Sequence, residues 1–196
     1  MTKTEKLKEL YAKKKALENE ISRLDVSQLS LKILINSCYG ALGSAYFRYY
    51  DLRIAEGITM VGQTVVRKAA DTVNDWIQRC FKDKKDRVVA SDTDSIYIEM
   101  ADFVSKFKPK NPTKFLDAIA RDTIQPILDN SFETLGETMG MMKRTMVMER
   151  EVIADRALWT AKKRYIMNVI NSEGVQYAEP KIKMLGIEAI KSSTPK

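Results

Sequence analysis

The chain has 196 residues, 44% of them hydrophobic, enough to bury a core as one domain with an appendage. Its formal net charge of +7 favours a polyanion as partner, with nucleic acid ahead of an anionic membrane. There is no histidine, and Cys38 and Cys80 do not form a metal-ligand spacing, so zinc hydrolase chemistry and any His-based triad are excluded. Catalysis, if any, must use carboxylates, Lys, Arg, Tyr and metal. No uninterrupted apolar run is long enough to span a bilayer, and the N-terminus lacks an apolar signal-peptide core. The expectation is a soluble, cytoplasmic protein.

From Thr4 to Leu24 there is no Gly or Pro, and Leu7, Leu10, Lys14, Leu17, Ile21 and Leu24 fall at alternating spacings of three and four. That coiled-coil-like seam predicts one long amphipathic helix. Its other faces carry Lys3, Lys6, Lys8, Lys13, Lys14 and Lys15, a lopsidedly basic surface. Asp25 followed by Gln28 has the spacing of a capping box, which predicts a turn at Asp25 to Ser27 and a second helix, an αα-hairpin. In that second helix Gln28, Lys32, Asn36 and Tyr39 or Gly40 share one face among aliphatic neighbours. Such a stripe faces water or a ligand. Lys32 could neutralise a triphosphate, Tyr39 offers an aromatic face to a base, and Gly40 allows close approach. A surface helix stopped by a glycine cap reads the same way.

After Tyr49-Tyr50-Asp51, one apolar face runs through Ile54, Ile58, Val61, Val65, Ala69, Val73 and Ile77, predicting a long helix that ends near Lys82 to Lys85. Val88 to Met100 then reads as strand, tight turn, strand, with Ile96, Ile98 and Met100 alternating with Ser95, Tyr97 and Glu99. At the turn Asp92 and Asp94 sit two positions apart, so both carboxylates can point to one side. Two anions held that close favour a divalent cation between them, and Mg²⁺ is commonly held by one or two carboxylates plus substrate phosphates. An Asp-rich turn without any ligand is the plainer alternative. Phe115 to Leu135 predicts a helix interrupted at Pro126. Thr145 to Ile153 alternates into Glu149 and Glu151, and Trp159 to Ile170 is β-rich, which predicts strands that extend the sheet beside the aspartate turn. The fold class is α+β, with helices on one face of a small antiparallel sheet and the other face open.

Lys32-Ile33-Leu34-Ile35-Asn36-Ser37-Cys38-Tyr39-Gly40 resembles the fingers motif of family B DNA polymerases. Gly43, Arg48-Tyr49-Tyr50-Asp51 and Leu52-Arg53 resemble the tailed-phage replicative type in particular. Asp92-Thr93-Asp94-Ser95 resembles the palm motif that carries the metal-binding aspartates, and Lys162-Lys163-Arg164-Tyr165 the family's Lys-Lys-Arg-Tyr motif. Tyr177 to Gly186 and Lys191 to Lys196 resemble the end of that palm, so the resemblance covers about Gln28 to Lys196. It implies that residues 1–40 are the C-terminal part of a helical fingers hairpin and 41–196 a palm with a small antiparallel sheet. It implies Asp94 and Asp92 as catalytic ligands of Mg²⁺ or Mn²⁺, with Glu151 ahead of Glu149 as a third acidic ligand. Lys32, Asn36, Tyr39 and Gly40 would bind the incoming dNTP, and Lys162, Lys163, Arg164 and Tyr165 would hold primer–template DNA.

The resemblance also implies a first palm aspartate in an Asp-x-x-Ser-Leu-Tyr-Pro-Ser stretch, an exonuclease domain and a thumb, none of which these residues contain. The expectation is a split or truncated DNA-directed DNA polymerase, inactive alone and completed by a second polymerase fragment, in the host cytoplasm if phage-encoded. Two other classes fit parts of the pattern: a non-catalytic DNA-binding subunit, and an Asp-x-Asp nucleotide-sugar glycosyltransferase.

Overall fold

A computed structural model describes residues 3–143 and 145–190. It divides into two compact units, Met1–Met60 and Val61–Lys196.

In the first unit, α1 (Lys3–Leu42) is a single helix of 40 residues. The expected turn at Asp25 to Ser27 does not form, so the αα-hairpin is corrected to one unbroken helix. No Gly or Pro lies before Gly40 to end it, and Asp25 and Gln28 simply occupy helical positions. The hydroxyls that could compete with the helix bond back into it instead: Ser30 Oγ donates to the Val26 carbonyl at 2.8 Å and Ser37 Oγ to the Ile33 carbonyl at 2.7 Å. The seam residues Leu7, Leu10, Leu17, Ile21 and Leu24 are all exposed. Past Gly43 the chain turns back, and the Asp51 N–H donates to the Leu42 carbonyl at 3.1 Å. Asp51 then caps α2 (Leu52–Phe81), its Oδ1 accepting from the Arg53 N–H at 2.9 Å. The Arg53 guanidinium forks onto the same carboxylate and holds its pKa below the ordinary value.

The second unit is built on the apolar face expected for α2. Ala69, Val73 and Ile77 are buried against Phe103, Leu128 and Phe132, with Ile96, Ile98 and Met100 packed on the cluster. Phe103 lies on a short helix the sequence did not signal, α3 (Ala101–Phe107). Leu128 and Phe132 lie on α5 (Gln125–Thr138), which follows α4 (Pro112–Ile119) through a π turn at Ala120–Ile124. The expected interruption at Pro126 is therefore present. Pro126 lacks an N–H and crowds the carbonyl one turn back, so the ladder widens just ahead of it.

The strands form two sheets. β1 (Val88–Asp92) and β2 (Ser95–Ile98) make an antiparallel hairpin, while β3 (Val152–Ala161), β4 (Arg164–Ser172) and β5 (Val175–Leu185) make a separate antiparallel sheet in the order β3-β4-β5. The expected extension of the hairpin's sheet is thus corrected to a second sheet. Residues 145–151 are not a strand either. Side chains and turns hold that segment: Arg150 reaches Asn171 Oδ1 and Asp117 Oδ1, and the Glu151 carbonyl accepts from the Glu173 N–H at 2.7 Å. In the central strand β4, Tyr165, Met167, Val169 and Asn171 are buried alternately. Pro180 is accommodated in β5, an edge strand that needs no outward N–H.

Candidate active site

The aspartate turn is the tightest feature of the hairpin. Asp92 pairs with Ser95, leaving Thr93 and Asp94 as the two-residue loop, and Thr93 takes a left-handed φ of 48°. The Asp94 N–H and Ser95 Oγ both donate to the Asp92 carbonyl, at 2.6 and 3.1 Å, and Thr93 Oγ1 donates to Asp92 Oδ1 at 3.0 Å. Small polar residues at 93 and 95 thus fix the turn. Asp92 is half-buried; Asp94 is exposed, and none of the described residues pairs with its carboxylate.

The hairpin has two unlike faces. Ile96 and Ile98 pack into the helical core, while Tyr97, which pairs with Ala90, shares its face with Ser95 and Asp92. That second face is not open along its length. The Tyr97 ring meets Trp159 at 5.2 Å and Tyr165 at 5.7 Å between centroids, so the three-stranded sheet covers it there.

Trp159 and Tyr165 are cross-strand partners just below the β3–β4 turn, whose tip is Lys162 and Lys163. Lys162, Lys163 and Arg164 are exposed, with Arg164 Nη1 3.9 Å from Glu188. Tyr165, expected beside them as a DNA contact, is buried at 6% exposure. Burial first, then hydrogen bonding with Tyr97, and then the Glu151 and Asp92 carboxylates push the Tyr165 phenol well above the ordinary tyrosine range. The turn is also held from β5. Gly186, at φ 63°, lies so near that a Cβ there would sit 2.3 Å from the Lys163 carbonyl oxygen.

Glu151 is exposed and ion-paired with Lys183 Nζ at 2.9 Å; Glu149 is exposed. Hard carboxylate oxygens suit Mg²⁺ or Mn²⁺, and the aspartate turn presents two residues of that type. Among the described residues, however, no group of three His, Cys, Asp or Glu side chains could hold a metal ion. The donor set therefore fits a cation completed by substrate oxygens or further carboxylates rather than a closed protein cage.

In the first unit, Lys32, Asn36, Tyr39 and Gly40 lie exposed on α1. Tyr39 and Gly40 line an open groove of about 310 Å³ with Gly43, Leu52, Ala55, Glu56 and Thr59. A Cβ at Gly40 would meet nothing within 4 Å, so its missing side chain leaves free space at the groove rather than relieving a clash inside the chain.

Sequence reasoning missed the polar cluster around Arg87 as well as the pair Tyr97 and Trp159. Arg87 is 2% exposed, forks onto Asp83 at 2.7 and 2.8 Å and onto Asp102 at 2.8 and 2.9 Å, and stacks over Phe81 at 4.7 Å. Lys85 joins Asp102 and Glu99 at 3.4 and 3.0 Å. The cluster ties the end of α2 and the start of β1 to α3, and so fixes the base of the aspartate hairpin. The only sequence signal was an excess of alternating charge over residues 82–87.

The exposed acidic turn and the exposed basic turn are joined through one aromatic cluster of Tyr97, Trp159 and Tyr165. A family model described as DNA polymerase family B matches residues 1–193. The DNA-directed DNA polymerase of Escherichia phage RB69 is 40% identical over 98% of this chain and 24% of its own length. That of Enterobacteria phage T4 is 37% identical over 91% of this chain and 22% of its own length. A DNA polymerase catalytic subunit of Alcelaphine herpesvirus 1 is 26% identical over 95% of this chain and 18% of its own length. The chain belongs to DNA polymerase family B, and within it is similar to the phage type. It spans about a quarter of the length of the phage relatives. These relatives lend no support to the glycosyltransferase alternative. No helix among the described residues is long and apolar enough to cross a membrane.

Proposed function

We propose that this chain is the fingers-and-palm portion of a phage-type DNA-directed DNA polymerase, acting on primer–template DNA and dNTPs. Residues 1–40 are its part of the fingers and 41–196 its palm. The observation that carries the reading is the aromatic cluster that joins the aspartate turn to the Lys162–Arg164 turn, in a chain matched by the family model over 1–193.

Asp94, exposed at the loop, and Asp92, anchored by Thr93, are the carboxylates that would hold Mg²⁺ or Mn²⁺, with Glu151 as a further candidate. Such a cation polarises phosphoryl oxygens and offsets the charge that builds on the leaving pyrophosphate. The chain's own residues bind and orient. Lys162, Lys163 and Arg164 grip duplex phosphates irrespective of sequence. Lys32 contributes a cation for the triphosphate, Asn36 and Tyr39 contact the nascent base pair, and Gly40 admits it. Glu151 is ion-paired with Lys183 at 2.9 Å and would have to share its carboxylate between that ammonium and a bound cation.

The carboxylate that the family's first palm motif supplies lies outside these 196 residues. A partner segment carrying it completes the site. Primer extension is therefore measured with the remainder of the polymerase supplied in trans. Asp94→Asn lowers incorporation by on the order of a thousandfold or more, the worth of several kcal/mol of charge stabilisation, and leaves the magnesium-free duplex affinity within about twofold. Loss of both activities together would mark Asp94 as structural and sink the reading. The two-carboxylate donor set favours one second reading, a DNA-binding subunit without catalysis. It prevails if the wild-type chain binds duplex, assembles with the remainder, and changes incorporation no more than Asp94→Asn does.

A further inference from the structure

The β1–β2 hairpin and the three-stranded sheet share no backbone ladder. Their relative position in this unit therefore falls to side chains. Tyr97 is the hairpin residue that reaches across, edge-on to Trp159 with an interplanar angle of 67° and tilted against Tyr165 at 57°. Both partners come from the strand pair that ends in the basic turn.

We propose that Tyr97 and Trp159 are positioning residues whose shared packing on Tyr165 sets the Lys162–Arg164 turn at a fixed place relative to Asp92 and Asp94. The inference rests on the polymerase reading above and adds to it how the two halves of the site are kept in register. The levers are short. Asp94 lies three residues from Tyr97 and Lys163 two residues from Tyr165, about 10 and 7 Å of extended chain. A shift at the cluster reaches both turns almost undamped.

Trp159 itself argues for packing over polarity. Its indole N–H is buried and meets no hydrogen-bond partner among the described residues. A buried donor without a partner is a cost. What the side chain contributes there is its ring, which meets Tyr97 at 5.2 Å and Tyr165 at 6.5 Å between centroids.

The test uses the whole chain, a fluorescent primer–template duplex, and anisotropy titrations at one ionic strength with either EDTA or Mg²⁺. The quantity read is the part of the magnesium effect on duplex affinity that depends on Asp94, obtained by comparing each variant with its Asp94→Asn counterpart. In the wild-type chain Mg²⁺ tightens binding by about fivefold through Asp94, the worth of about 1 kcal/mol. Tyr97→Leu keeps the magnesium-free affinity within about twofold and brings the Asp94-dependent gain down to about one, while Tyr97→Phe, which keeps the ring, retains the gain. Thermal melting checks that each variant is folded. If Tyr97→Leu does not fold, Trp159→Phe carries the same comparison, since it narrows the contact without removing any hydrogen bond. An Asp94-dependent gain equal to wild type in a folded Tyr97→Leu or Trp159→Phe chain overturns the inference and leaves the polymerase reading standing. No duplex binding and no Asp94-dependent gain in the wild-type chain overturns both.

Discussion

Arg87 decides more of this structure than any residue the sequence singles out. Its guanidinium is buried, yet both carboxylates it forks onto, Asp83 and Asp102, remain 38% and 37% exposed. Arg87→Met keeps the length of the side chain over Phe81 but removes five donors. The freed carboxylates regain water, so the loss stays near the low end for a broken buried pair, about 3 kcal/mol, read from the urea midpoint of the chain. The same fork makes the fold acid-sensitive. Hydrogen bonding to Arg87, chiefly, lowers the Asp83 pKa from 3.8 to about 2. The unfolded chain therefore binds this proton more readily than the folded one. The stability the pair contributes is complete above about pH 4 and is lost as the pH falls from there towards 2. Asp83→Asn should be less stable than wild type at pH 6 and show a flatter decline in urea midpoint between pH 4 and pH 2; an unchanged slope would mean that other carboxylates carry the acid response. Arg87 was illegible in the sequence because its partners lie 4 and 15 positions away on either side and meet only in the fold. Asp92 and Asp94 were legible because their geometry is local: two positions, one turn.

At the scale of elements, local patterns survived and non-local pairing did not. The face Val65, Ala69, Val73 and Ile77 predicted α2, and the β-formers around Asp92 predicted its hairpin, since both need only their own periodicity. Asp25 and Gln28 misled because a capping box is a cap only where a helix starts, and no breaker precedes them. The second sheet was missed because the pairing of β4 with β3 and β5, apart from the hairpin, depends on Arg150 and Glu151 pinning the approach to β3. The basic turn shows the same dependence on a distant element. Lys163 stands at φ 61° and its carbonyl abuts Gly186 at the end of β5. Gly186→Ala would place a methyl group against backbone that cannot rotate away, on top of the cost of a left-handed alanine, so a loss of about 2 kcal/mol or more is expected. The turn has to retreat from β5, and duplex affinity should drop with the melting temperature. A variant with wild-type melting and wild-type affinity would show that β5 does not brace the turn.

For the molecule as a whole, the α+β class followed from the order of helical and strand patterns and the family resemblance from three short motifs in a fixed order, whereas the burial of Tyr165 required the fold. A stretch written Lys-Lys-Arg-Tyr reads as four contacts to DNA, but strand alternation turns Tyr165 inward and leaves three cations outside. That division has a measurable consequence through the net charge of +7. If the polymerase reading holds, duplex binding is driven largely by release of condensed cations, and log affinity falls linearly with log salt by about 0.9 for each phosphate contacted. Replacing Lys162 and Lys163 together with Ala should shallow that slope by about 2 and weaken binding equally for unrelated duplex sequences. Tyr165→Phe, which keeps the buried ring and removes only its hydroxyl, should leave the slope unchanged. A slope that shifts with Tyr165→Phe but not with the two lysines would put the phenol on the phosphates and the lysines in solvent, the reverse of what the β3–β4 turn presents.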